Sequence, residues 1–260
     1  MLHGRRRLVR LMTVTAAGAG VLAGLAGCAG TNGPQAATAT RAWTAPDPLA
    51  GLTGQAVAVK ATADAAAARS LVMNGTVSQS GASYALDLGI KRGQGCSGTV
   101  GISGKGTVKL TVVGTTVYLN PDKKFWTAVG GANASAVIGL LDGRYIKVPP
   151  DDPSASSFTA LCDISTLIGS GGQPGTVTRE PLTALNGRRV IPLKVSDGST
   201  DYVTDTSAPQ LFEAVAPKGA QEAGRLTFSF GAPVTVAAPP ASQVIDGAQL
   251  GLGPGGPTLA

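Results

Sequence analysis

The chain has 260 residues, 21 Lys and Arg against 15 Asp and Glu, and a single histidine, His3, giving a formal net charge of +6. Four of the arginines (Arg5, Arg6, Arg7 and Arg10) lie in the first 27 residues; without that segment the counts become 17 and 15 and the charge falls to +2, which removes the basic signature of a nucleic-acid binder. With no histidine after His3, Ser-His-Asp and Cys-His chemistry and the common zinc sites are excluded, while carboxylate or Ser-Lys chemistry stays open; the expectation is a protein that is not an enzyme and uses no metal or cofactor.

The basic start is followed by an uncharged run, Leu11 to Gly27, in the layout of an export signal, and the run is too short and too rich in Gly and Ala for a membrane-spanning helix. It ends in Leu25-Ala26-Gly27-Cys28, which resembles the lipobox of bacterial lipoproteins. That resemblance implies cleavage before Cys28, a diacylglyceryl group on its thiol, and a lipid anchor on the extracytoplasmic face of the cell membrane. Arg5-Arg6-Arg7-Leu8-Val9 also resembles a twin-arginine motif, so the export route stays open between that pathway and the general one. Residues 1–27 are therefore read as signal and residues 28–54, dominated by Gly, Thr, Ala and Pro, as the lipidated N-terminus and a flexible tether. Residues 55–247 form one domain by length and pattern, and residues 248–260 a disordered Gly- and Pro-rich tail.

Within the domain, Val57, Ala61, Ala65, Ala68 and Leu71 recur at helical spacing and predict a first helix. Alternation then predicts strands: Tyr84, Leu86, Leu88 and Ile90 on one face, then Val108, Leu110 and Val112, then Val117 and Leu119, with a turn at Asn120-Pro121-Asp122. The period changes over Ala134–Leu141, where Val137, Ile138 and Leu141 fall at helical spacing. A further helix is predicted over Ser154–Ile168, with Phe158, Leu161, Cys162 and Ile168 on one face and Asp151-Asp152-Pro153 at its start. Strands resume at Thr176–Leu185, Arg188–Val195, Thr200–Asp205, Gln210–Val215, Leu226–Phe230 and Val234–Ala237, with hairpin signals at Asn186-Gly187 and Asp197-Gly198. This order describes an α+β domain with one large antiparallel sheet. In an oxidising compartment Cys96 and Cys162, an even pair, form a disulfide or else stay as two buried thiols; a bond closing 66 residues is worth roughly 4 kcal/mol.

The stretches Gly98-Thr99-Val100 through Val117-Tyr118-Leu119 and Gly224-Arg225-Leu226-Thr227-Phe228-Ser229-Phe230-Gly231-Ala232-Pro233-Val234, followed by Ala238-Pro239-Pro240, resemble the LppX/LprG-type envelope lipoproteins of actinobacteria over roughly residues 55–246. The resemblance implies a LolA-like fold, a curved antiparallel sheet or half-barrel with helices on its concave face and an apolar cavity between them. It further implies binding of an acylated lipid or glycolipid, lipid transport, and an envelope transporter or acceptor protein as partner. The expected lining is Leu86, Leu88, Leu110, Val112, Leu119, Val137, Ile138, Leu141, Phe158 and Leu161; ordinary core is the competing reading for each. The alternative function is a non-carrier interaction or sensor module, docking through an exposed apolar patch near Trp126 or Arg144-Tyr145. Asp151-Asp152 read as the charged start of a helix and Lys123-Lys124 as a solvated turn, with contact to anionic headgroups as the sharper reading of the lysines.

Overall fold

Alternating apolar residues build a meander of five strands, β1 (Ser70–Gln79), β2 (Ala82–Lys91), β3 (Gly95–Ile102), β4 (Gly106–Val113) and β5 (Thr116–Pro121). The computed structural model describes residues 46–79, 81–169, 175–217, 219 and 222–250. The signal segment, Cys28 and residues 251–260 lie outside the described residues. A second meander, β9 (Arg188–Val195), β10 (Thr200–Thr204), β11 (Leu211–Ala216) and β12 (Glu222–Phe230), joins the first through antiparallel pairing of β12 with β1, Leu71 opposite Phe230 and Gln79 opposite Glu222. Asn186 and Gly187, both at positive φ (51° and 76°), make the tight turn between β8 (Thr183–Leu185) and β9 that their sequence predicts.

Between the two meanders the chain forms helices. Helix α2 (Lys123–Val129) and α3 (Ala134–Leu141) precede β6 (Tyr145–Lys147), and α4 (Pro153–Leu161) and α5 (Ile164–Gly169) precede β7 (Val177–Arg179). A first helix, α1 (Gly54–Ala66), comes before the sheet, and β13 (Val244–Asp246) closes the order. The strands lie as β13-β6-β5-β4-β3-β2-β1-β12-β11-β10-β9-β7, with β8 also on β9. The sheet is curved and unclosed. Bending it requires strand positions without side chains: Gly75 sits at φ +147°, where a Cβ would fall 2.1 Å from the Arg225 carbonyl oxygen, and Gly98 at φ +158°, where one would fall 2.0 Å from that of Asp87.

Register sorts the inner face into rows. The first holds Phe230, Leu71, Ile90, Cys96, Val112 and Val117, and the second Phe228, Met73, Leu88, Gly98, Leu110 and Leu119. Helices α4 and α5 bury these rows: Ala155, Cys162 and Ile164 join them in one packed core with Val148. Cys96 and Cys162 are bonded, with Cα atoms 5.2 Å apart, so the helical crossover is stapled to the first row. Helix α1 buries Val57 and Ala61 against Val177, Ile191, Leu193 and Val203 on the other half of the same face.

Several expectations are corrected. The first helix ends at Ala66, and Leu71 belongs to β1, a strand hidden because the alanines of α1 carry the helical spacing up to it. The helix expected over Ser154–Ile168 is two, because Asp163 starts the second by accepting from Ser165 Oγ and, at 2.9 Å, from the Thr166 N–H. Asp152 caps the first, accepting from the Ser154 N–H at 2.9 Å, with Pro153 as its first residue. Val234–Ala237 is no strand. It crosses the outer face, where Val234 lies over Gly89 and the Ala232 and Thr235 carbonyls accept from Ser70 Oγ (2.7 Å) and Ser97 Oγ (3.1 Å). This strap ends in β13, which pairs in parallel with β6, so the sheet is mixed rather than wholly antiparallel. Residues 47–53, placed in the tether by composition, are held on the domain: Leu49 is buried among Ile191 and Leu193, and Asp47 meets Arg179 at 2.6 Å. Residues 248–250, placed in the tail, lie in a 3-10 turn over Gly247–Leu250.

Replacing both Cys96 and Cys162 by Ser frees a loop spanning 66 residues and exposes the crossover to fraying. A loss of about 2–5 kcal/mol is expected, read as a lower urea midpoint under non-reducing conditions, with no further loss when reductant is added to the variant.

Candidate functional site: a half-covered apolar shelf

Helices α4 and α5 bury the first two rows but not the rest of the inner face. In the third row Ala214, Leu226, Gly75, Leu86, Val100 and Val108 stand side by side on β11, β12, β1, β2, β3 and β4, and all are half-buried. The fourth row repeats this with Ala216, Gly224, Val77, Tyr84 and Ile102. Together they form an apolar shelf about 24 Å long, five strand spacings of roughly 4.8 Å. The glycines leave its floor low, and Phe158, Leu161, Leu167 and Ile168 of α4 and α5 are, like the shelf residues, partly buried against the packed core. At its β4 end, α2 closes in: a Cβ on Gly106 would lie 2.6 Å from the Phe125 nitrogen, and Asp122 caps α2 by accepting from that N–H at 2.7 Å. A depression of about 400 Å³ at this end of β2–β4 is lined largely from the outer face, by Ala85, Gly101 and Thr107 with Lys124, and is not part of the shelf.

The ten residues expected to line a cavity are divided by the structure. Leu88, Leu110, Val112 and Leu119 are at most 2 % exposed and form packed core, because the crossover lies directly on their rows. Leu86, Phe158 and Leu161 are partly buried and pack against that core. Val137 and Leu141 belong to a separate cluster with Ile146, Trp126, Ile245 and Leu250, and Ile138 stays half-buried on α3. Val100, Val108 and Leu226, absent from that expectation, belong to the shelf; their signal was alternation, which does not say which rows a helix will cover. The Trp126 ring is itself half-buried, edge-on to Phe125 at 5.5 Å, while Val129 and Leu140 are the exposed apolar residues of α2 and α3. Arg144 donates to the Leu141 and Leu140 carbonyls and borders a groove of about 610 Å³ with Lys147, Pro239 and Val244.

At the β10 end the third row continues into Asp201, which stands between Ala214 and the fully buried Leu193, on the same face as Val203. Among the described residues none donates a hydrogen bond to its carboxyl. Burial, and secondarily the charge of Asp197, pushes it up to about 6. Asp47 and Asp205 sit beyond, with Arg179 and Arg189. Burial, and secondarily the Asp47 charge, raises Asp205 despite its bond from Arg189 Nε at 2.5 Å; Asp47 is lowered because the Leu49 N–H, Asp205 and Arg179 outweigh its own burial. This cluster holds residues 46–49 in place, the Pro46 carbonyl also accepting from Arg189.

No known family profile matches the chain, and no curated protein matches it in sequence. Among solved structures, the chain is similar to the lipoprotein LprF from Mycobacterium bovis, at 16 % identity over 72 % of this chain and 96 % of that one, with a TM-score of 0.49. It is similar also to the Mycobacterium tuberculosis lipoprotein LppX, at 13 % identity over 70 % and 97 % of the two chains, with a TM-score of 0.44. The architecture of this chain stands on its own strand order and register.

Because the Asp201 carboxyl holds its proton more tightly folded than unfolded, it destabilises the fold above about pH 6, and that cost fades as pH falls toward its ordinary value of 3.8. Asp201→Asn is therefore expected to be more stable than the wild type at pH 7.5, by on the order of 1–2 kcal/mol after allowance for its half exposure. The two melting curves are expected to converge near pH 4.5.

Proposed function

We propose that this protein is an exported lipoprotein, anchored through Cys28, which holds an acylated lipid or glycolipid on the shelf between its curved sheet and its crossover helices, and that it serves lipid transport in the cell envelope. The observation that carries the reading is the half-buried third row, a continuous apolar stripe across six strands that the helices leave half-covered. Apolar area of that length attracts a long acyl chain at about 0.8 kcal/mol per buried methylene and needs no specific polar contact to do so. The lipobox at residues 25–28 places such a surface beside a bilayer, a source of acyl chains. Among the described residues no group of three or more His, Cys, Asp and Glu could hold a metal, and no helix is long and apolar enough to cross a membrane. The shelf suits binding, with an envelope transporter or acceptor as the partner that takes the lipid on.

Cys28→Ser is expected to move the protein from the detergent to the aqueous phase on Triton X-114 partitioning; retention in the detergent phase would refute the anchor. Native mass spectrometry of the full chain carrying Cys28→Ser, incubated with envelope lipids, is expected to show adducts that dissociate as acylated lipid. Leu86→Glu, on the half-buried shelf, is expected to lose those adducts while keeping the far-UV spectrum. A wild-type shelf that stays empty in every lipid mixture would refute the proposal.

A further inference from the structure

One polar side chain interrupts the apolar inner face at the place where covering changes. Leu193 on one side of Asp201 is 1 % exposed under α1, while Ala214 on the other is half-buried and begins the shelf. Leu226, the first large shelf residue, lies two strand spacings from Asp201, about 10 Å, and Ala214 between them is too small to form a wall. A ligand lying along the row would therefore bring one end to this carboxyl. The other polar groups of the neighbourhood are engaged elsewhere: Arg179, next to Leu193 in the same row, donates to Asp47 and to the Leu49 carbonyl. Asp197, in the turn before β10, adds a second negative charge. An acceptor with no donor among the described residues, in partly dry surroundings beside another carboxylate, favours a hydroxyl or other uncharged donor and opposes a second anion.

Resting on the proposed lipid reading of the shelf, we infer that Asp201 is its specificity-determining residue, admitting acyl ligands whose head is an uncharged hydrogen-bond donor and rejecting those whose head is an anion. The chain end of the ligand then points toward Val100 and Val108, and its hydroxyl donates to the Asp201 carboxylate. Discrimination comes from repulsion as much as from attraction, since an uncharged residue here would hold the same acyl chain without regard to its head.

The test is competition by two probes of equal chain length, monostearoylglycerol and stearate, against a fluorescent acyl probe bound to the full chain carrying Cys28→Ser at pH 7.5. The parent chain is expected to prefer monostearoylglycerol by on the order of tenfold, and both Asp201→Asn and Asp201→Ser to bring the two probes within about twofold, chiefly by gaining affinity for stearate. Equal affinities in the parent, or a preference that survives in both variants, would overturn the role of Asp201 while leaving the shelf standing. Failure of either probe to displace the dye from any of the three proteins would overturn the shelf reading and this inference with it. Circular dichroism melting of each variant separates a lost site from a lost fold.

Discussion

Strand β6 lies beside one edge of the sheet and β7 at the other, so the chain joining them has to travel across a face, and the bond between Cys96 and Cys162 determines where it travels. That crossing is α4 and α5. Pinned to the first row, the helices bury Leu71, Ile90, Val112 and Val117, then Met73, Leu88, Leu110 and Leu119, and at nine and six residues long they leave the third row only half-buried. The packed half and the half-covered half of the inner face are thus two results of one constraint.

Sheet curvature acts on the same face. Gly75 and Gly98 allow neighbouring backbones to approach where any Cβ would collide, and they also remove side chains from the third and second rows. A floor with gaps, under helices that stop short, is what a guest chain needs; a flat sheet with leucines at those positions would close on itself. On the outer face the strap from Ala232 to β13 performs the complementary task. It covers Gly89, accepts from Ser97 and pairs with β6, leaving a three-residue edge strand that offers little to another chain.

Charge is distributed to suit this division. The arginines at the β7–β9 end are engaged in holding residues 46–49, Arg189 with Asp205 and Arg179 with Asp47. Asp201, a few residues away, receives none of them. A carboxyl stranded between packed core and open shelf costs stability, and proteins retain such costs where function uses them.

Periodicity made most strands, α3, the Asp152 cap and the Asn186-Gly187 turn legible, because these depend on neighbours within a few residues. The cysteine pair was legible from its parity in a chain with an export-like start. β1 was hidden by the alanines before it, and the parallel β6–β13 pairing had no local signal, since three-residue strands are defined only by the partner they meet. For the site, alternation marked Leu86, Leu88, Leu110 and Leu119 alike as inward-facing, and it could not separate the buried from the half-covered, because that difference lies in where α4 and α5 end. Asp201 carried a faint signal, two residues before Val203, but Tyr202 between them left the inward side of β10 ambiguous. By itself the sequence determined most of the strands, α3 and the even count of cysteines in the domain, all of which follow from short-range chemistry. Only the tertiary structure decided which inward residues stay half-open and which polar group faces them, because covering depends on the path of a crossover between strands at opposite edges of the sheet.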